Sequence, residues 1–132
     1  LHLLPYWFIR AQVPAYVSVR PEVQRYAAEA MKVSGKEQFI AAWQSTLHAS
    51  VAERPFKFCT PLLVAFGAYD RHGWINRAKS LWAERFPHAQ IISVPGASHC
   101  LTQDNPSFTT QMLTDFVGQC LRERRQAAQP SL

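Results

Sequence analysis

Apolar positions along the chain fall into two textures. Between residues 21 and 48 they recur at helical spacing. Val23, Tyr26, Ala27, Ala30 and Met31 share one face of a helix that Pro21 can begin, because a proline in the first turn removes no needed hydrogen bond. Gly35 ends that helix. Lys36 to His48 predicts a second one, with Phe39, Ile40, Trp43 and Leu47 on its apolar face. Neither is long enough to stand alone, so each needs a partner surface. The first twenty residues are aromatic-rich and punctuated by Pro5 and Pro14, and we assign no element to them.

The texture changes at Pro55. Pro61 to Phe66 is a short, almost wholly apolar run followed by Gly67, the pattern of a strand buried on both faces. From Gly73 to Phe86 the helical period returns, with Ile75, Ala78, Leu81, Trp82 and Phe86, and Pro87 closes it. Gln90 to Val94 predicts a second strand, ended by Pro95-Gly96. Asn105-Pro106 opens a final helix whose inner face is expected to carry Phe108, Met112, Leu113, Phe116, Val117, Cys120 and Leu121. The small polar residues after Arg125 are expected to fray. Strand, helix, strand, helix implies a right-handed parallel crossover and an α/β fold. The chain divides into a helical segment (1–54), a β-α-β-α half-sheet (55–126) and a frayed tail (127–132).

Functional groups in open parallel sheets gather outside the carboxyl ends of the strands. Each predicted strand here runs into one titratable residue there. The first ends in Gly67-Ala-Tyr-Asp70 and the second in Pro95-Gly-Ala-Ser-His99. The spacing of 29 residues is what one crossover and two loops occupy, so Asp70 and His99 are expected at the same sheet edge. A carboxylate beside an imidazole accepts the Nδ1 proton and steadies the imidazolium, leaving Nε2 as a general base. Asp104, five residues past His99, is the second choice for the acid, although an acidic group also suits a helix N-terminus. Cys100 adjoins His99, but neighbours on an extended loop point apart. His72 follows Asp70 closely and reads as a loop residue. Phe66, Tyr69 and Trp74 lie near this mouth, and Trp7, Phe8 and Trp43 in the helical segment; they suit an apolar or aromatic small-molecule substrate, or else plain core packing.

Composition narrows the function classes. The 132 residues are 48% apolar and 17% charged, enough for a packed domain. A net charge of +5 invites an anionic partner, yet Lys and Arg are scattered. The one tight cluster, Arg122, Arg124 and Arg125, suits a helix C-terminus, and no aromatic-basic interleaving accompanies it, so no nucleic-acid partner is expected. The opening LHLLPYWFI is too short to span a bilayer and lacks a leader's features, so no membrane association is expected either. Three cysteines, an odd number, fit a reducing, cytoplasmic compartment rather than a disulfide framework. His48, His72, His88 and His99 show no metal-ligand spacing, and neither a metal nor a cofactor is expected.

Residues 60–118 carry a recognisable order: Thr60-Pro-Leu-Leu-Val-Ala-Phe-Gly67-x-x-Asp70, then Val94-Pro-Gly-Ala-Ser-His99-Cys, then Asp104-Asn-Pro106-x-Phe108, and a helix ending Asp115-Phe-Val117. This resembles the C-terminal part of an α/β-hydrolase, with residues 1–54 resembling, less specifically, the family's helical cap. The resemblance implies that Asp70 is the triad acid, that His99 is the triad histidine, and that the intact site hydrolyses an ester or related acyl bond. Within the same fold an aspartate nucleophile would instead give epoxide or haloalkane hydrolysis. The family's Gly-x-Ser-x-Gly elbow is missing: Gly96-Ala-Ser98 runs into His99-Cys100 and lacks the second glycine. The chain also does not open on methionine. We therefore expect a fragment or truncated product, inactive alone, whose partner is the missing N-terminal half or a second copy. The alternative is a non-catalytic hydrolase half acting as an interaction module through its exposed sheet edge.

Overall fold

The computed structural model describes residues 3–51, 58–71 and 73–128. The chain forms two compact units, Leu1–Phe58 and Cys59–Leu132. The expected boundary between residues 54 and 55 lies outside the described residues, as do His72 and residues 129–132 of the tail.

The first unit is helical. Helix α1 (Tyr6–Val17) occupies the stretch to which the sequence pattern assigned no element, and it carries Pro14 in its interior. Burial resolves the conflict: Ile9 and Pro14 face inward, and packing stabilises what propensity alone disfavours. Helix α2 (Pro21–Val51) is broken at Gly35, whose φ of 80° lies where side-chain-bearing residues are strained. The two expected helices thus sit either side of that break. Val23, Met31 and Ile40 are buried with Ile9. The Tyr6 hydroxyl donates to the Met31 carbonyl, and its ring lies 6.4 Å from that of Phe39. Tyr26 (66% exposed) and Leu47 (50%) depart from the expected inner faces. Each sits on the rim of a helical stripe, where burial depends on how wide the facing surface is.

The second unit is mixed α/β, with elements β1 (Leu63–Gly67), α3 (Gly73–Arg85), β2 (Gln90–Val94), α4 (Leu101–Asp104) and α5 (Pro106–Ala127). β1 and β2 pair in parallel, with Leu63 opposite Gln90 and Gly67 opposite Val94. Val94, Ala97 and Met112 form the buried core, against which Leu63, Ala65, Ile92 and Leu101 pack. The period-2 alternation of the strands accounts for this set, since Leu63 and Ala65 share one face of β1 as Ile92 and Val94 share one face of β2. Phe86 is buried at the end of α3, its ring 5.3 Å from Trp82.

Three expectations are corrected. β1 is half-buried along Leu63–Phe66 rather than enclosed on both faces, because the described sheet has only two strands. α5 continues past Arg125 to Ala127, where the fraying tail was expected. Of its expected inner face Met112 is buried and Phe116 and Cys120 are half-buried, joined by buried Thr109, while Phe108, Leu113, Val117 and Leu121 are exposed. A helix with apolar residues on more than one stripe shows only one of them to a two-stranded sheet. No described helix is long and apolar enough to cross a membrane.

Candidate active site

The site grows from the two strand ends. After Gly67 the chain turns, with the Asp70 N–H donating to the Gly67 carbonyl at 3.1 Å. After Val94, Gly96 takes φ 66°, a left-handed turn residue that redirects the chain over the top of the sheet. The two loops are then stitched together. The Ala68 N–H donates to the Val94 carbonyl (2.9 Å), and the Tyr69 N–H donates to the Ala97 carbonyl (2.8 Å). The Ser98 hydroxyl donates to the Tyr69 carbonyl at 3.4 Å, a long bond.

This stitching depends on a missing side chain. A Cβ at Gly67 would lie 2.1 Å from the Ser98 carbonyl oxygen and 2.5 Å from that of Ala97. Only glycine lets the first loop pass so close beneath the second.

The stitched loops bring Asp70 and His99 together. The His99 Nδ1 lies 3.0 Å from Asp70 Oδ2. A carboxylate only accepts, so Nδ1 carries the proton, and the lone pair of the neutral ring is on Nε2. The Asp70 side chain is 3% exposed and the His99 side chain 41%. The anion is thus screened from water while its partner reaches solvent, which strengthens the contact and leaves the ring accessible.

Asp104 stands elsewhere than the acid position considered for it. It closes α4, is buried, and its Oδ2 accepts the Ser98 N–H at 2.7 Å. Asp70 therefore holds the ring nitrogen and Asp104 holds the backbone behind it. Asn105 ends the loop: its Nδ2 donates to the Pro95 carbonyl (2.9 Å), and its Oδ1 accepts the Phe108 N–H (3.2 Å) to cap α5 ahead of Pro106.

The remaining candidates separate clearly. Ser98 is buried and tied to the loops through both its N–H and its hydroxyl, the wrong setting for a nucleophile. The Cys100 thiol is pushed up by burial first, and then by the negative charges of Asp104 and Asp70, which disfavours its thiolate. A cleft of about 210 Å³ borders the Asp70–His99 pair and is walled by Phe66, Trp82 and Leu101. Lys79 also lines it, its Nζ 3.7 Å above the Phe66 ring centroid, a cation–π contact. Tyr69 is 60% exposed and contributes its backbone to the loops. The Trp74 side chain lies outside the described residues, as does His72. In the first unit Trp7 and Phe8 are exposed on α1, edge to face at 5.9 Å, and Trp43 lies 6.2 Å from Phe39. Among the described residues no group of three or more His, Cys, Asp or Glu could hold a metal ion.

Sequence reasoning missed the close approach at Gly67 and the buried role of Asp104. A glycine at the end of an apolar strand was the available signal for the first. The second had none, because a bond from a carboxylate to a backbone N–H six residues away leaves no periodic trace. Comparison with family models, curated proteins and solved structures yields no match for the chain.

Proposed function

We propose that this chain supplies the acid and the histidine of an α/β-hydrolase-type site acting on an ester or related acyl bond. The observation that carries the reading is the 3.0 Å contact between His99 Nδ1 and the buried Asp70 carboxylate at the carboxyl ends of adjacent parallel strands. In this role Asp70 fixes the tautomer and stabilises the imidazolium. His99 Nε2 takes the proton of an attacking hydroxyl, returns it to the leaving group, and then activates water for deacylation. Residues 1–132 contain no Gly-x-Ser-x-Gly elbow, so the nucleophile comes from outside them. The apolar cleft beside the pair suits an acyl or aromatic group.

The test is p-nitrophenyl acetate turnover by the chain alone. The expected result is no acylation burst and no turnover by the chain alone, whereas a full-length enzyme that restores the nucleophile loses several orders of magnitude of turnover in His99→Ala. A burst accompanied by a covalent acyl-serine would refute the external nucleophile. An unchanged rate in His99→Ala would remove the histidine from the chemistry.

The apolar stripe Leu113, Val117 and Leu121 on α5 favours a second reading, in which this half acts as an interaction module. Sedimentation discriminates: self-association that Val117→Lys abolishes, together with no His99-dependent turnover in the full-length protein, would favour the module.

A further inference from the structure

The peptide unit Ala97–Ser98 is held at both ends. Its carbonyl accepts the Tyr69 N–H at 2.8 Å, and its N–H donates to Asp104 Oδ2 at 2.7 Å. Tyr69 is the residue before Asp70, and Ser98 is the residue before His99. The same peptide therefore links the backbone that carries the acid to the backbone that carries the base. Ala97, Ser98 and Asp104 are all buried, at 0%, 3% and 6% exposure. A charged acceptor at the N–H end polarises the carbonyl at the other end and strengthens the Tyr69 bond, since bonds in a chain reinforce one another at low dielectric.

We propose that Asp104 is a positioning residue for the Asp70–His99 pair, acting through the Ala97–Ser98 peptide that it clamps against the Asp70 loop. The inference rests on the functional reading above only for the use to which the pair is put. Without the carboxylate, the Ser98 N–H loses its acceptor and the His99 backbone is fixed from one side only. The ring nitrogen then leaves hydrogen-bonding reach of Asp70 for part of the time, and the Nδ1–H tautomer loses the partner that selects it. Among the described residues, the charged and titratable groups beside the pair are Asp70 on the loop after β1, Lys79 of α3 lining the same cleft, Cys100 next to His99 in the chain, and Asp104 of α4.

Nitrogen-15 spectra of the full chain, labelled at histidine and recorded with the ring neutral, read the tautomer directly. In the unmutated chain His99 is expected to be mainly Nδ1–H. Asp70→Asn removes the charged acceptor and is expected to weaken that preference; if the unmutated chain shows none, the pair itself is absent and the functional reading fails. Asp104→Ala is expected to shift His99 toward the Nε2–H form that an unconstrained histidine side chain prefers, with the Asp70 side chain still in place. Asp104→Asn keeps an oxygen acceptor for the Ser98 N–H and is expected to retain the Nδ1–H form, which separates clamping from charge. A residue that merely supports the loop would lower the melting temperature in Asp104→Ala and leave the tautomer unchanged; that result overturns the proposal. If Asp104→Ala does not fold, Asp104→Glu displaces the acceptor by one methylene while keeping the charge, and an unchanged tautomer there overturns it equally.

Discussion

Replacing Gly67 by alanine tests whether the close crossing of the two loops builds the site. The added Cβ would meet the Ser98 carbonyl oxygen at 2.1 Å, the Ala97 carbonyl oxygen at 2.5 Å and the Ser98 carbonyl carbon at 2.6 Å. All three are backbone atoms, so no side chain can swing aside. Reaching tolerable separation requires the His99 loop to lift by about 1 Å. That displacement stretches the Tyr69–Ala97 bond from 2.8 Å and the His99–Asp70 contact from 3.0 Å, both beyond useful length. Overpacking of this kind costs about 1–3 kcal/mol, and each of the two weakened hydrogen bonds about 1 kcal/mol more, for a total of roughly 3–5 kcal/mol. Urea denaturation followed by the His99 ring resonance reports on the second unit alone. With a slope of about 1–1.5 kcal/mol per molar urea for so small a unit, the midpoint should fall by roughly 3 M. The Nδ1–H signature of His99 should be lost even before urea is added. A midpoint within about 0.3 M of the parent, with the signature intact, would refute the reasoning.

Two other substitutions probe the surroundings. Iodoacetamide at neutral pH should alkylate exposed Cys59 well ahead of Cys100, whose thiol is pushed up by burial and two nearby carboxylates; only the thiolate attacks, so raising the pH should accelerate Cys100. Asp104→Asn removes one of those carboxylates and should speed Cys100 labelling at pH 8, as followed by mass spectrometry; a slower rate would contradict the stated cause. Asn105→Ala removes the α5 cap and the bond to the Pro95 carbonyl, and should cost about 1 kcal/mol or slightly more in thermal unfolding. An unchanged melting temperature would deny the cap a role in stability.

The half-sheet was legible because its signals are local. An apolar run ending in Gly67, and another ending in Pro95-Gly96, fix two strands, and the helical period between them demands a parallel crossover. The placing of Asp70 and His99 at one edge followed from topology alone, without any knowledge of side-chain geometry. Helix α1 was hidden because Pro14 opposes it locally, and only burial beside Ile9 offsets that opposition. The inner face of α5 was misread for a related reason. Met112 and Leu113 are consecutive and both apolar, yet which of them is buried depends on the width of the surface that α5 meets. Asp104 was legible as an acid near His99 but not as a clamp, since its partner is a backbone N–H that every residue type except proline offers.

The pairing of Gly67 with Val94 has a consequence for assembly of the protein. A one-residue slip between the strands would turn every side chain to the opposite face, so the smallest tolerable error is two residues, or about 6.6 Å. Asp70 and His99 are carried rigidly beyond the strand ends and meet at 3.0 Å, a contact that no such slip can stretch to keep. A misregistered molecule therefore has no weakened site; it has none. The ring signature of His99 accordingly acts as a digital count of correctly threaded molecules, and its amplitude during refolding measures yield where helical circular dichroism would report both outcomes alike.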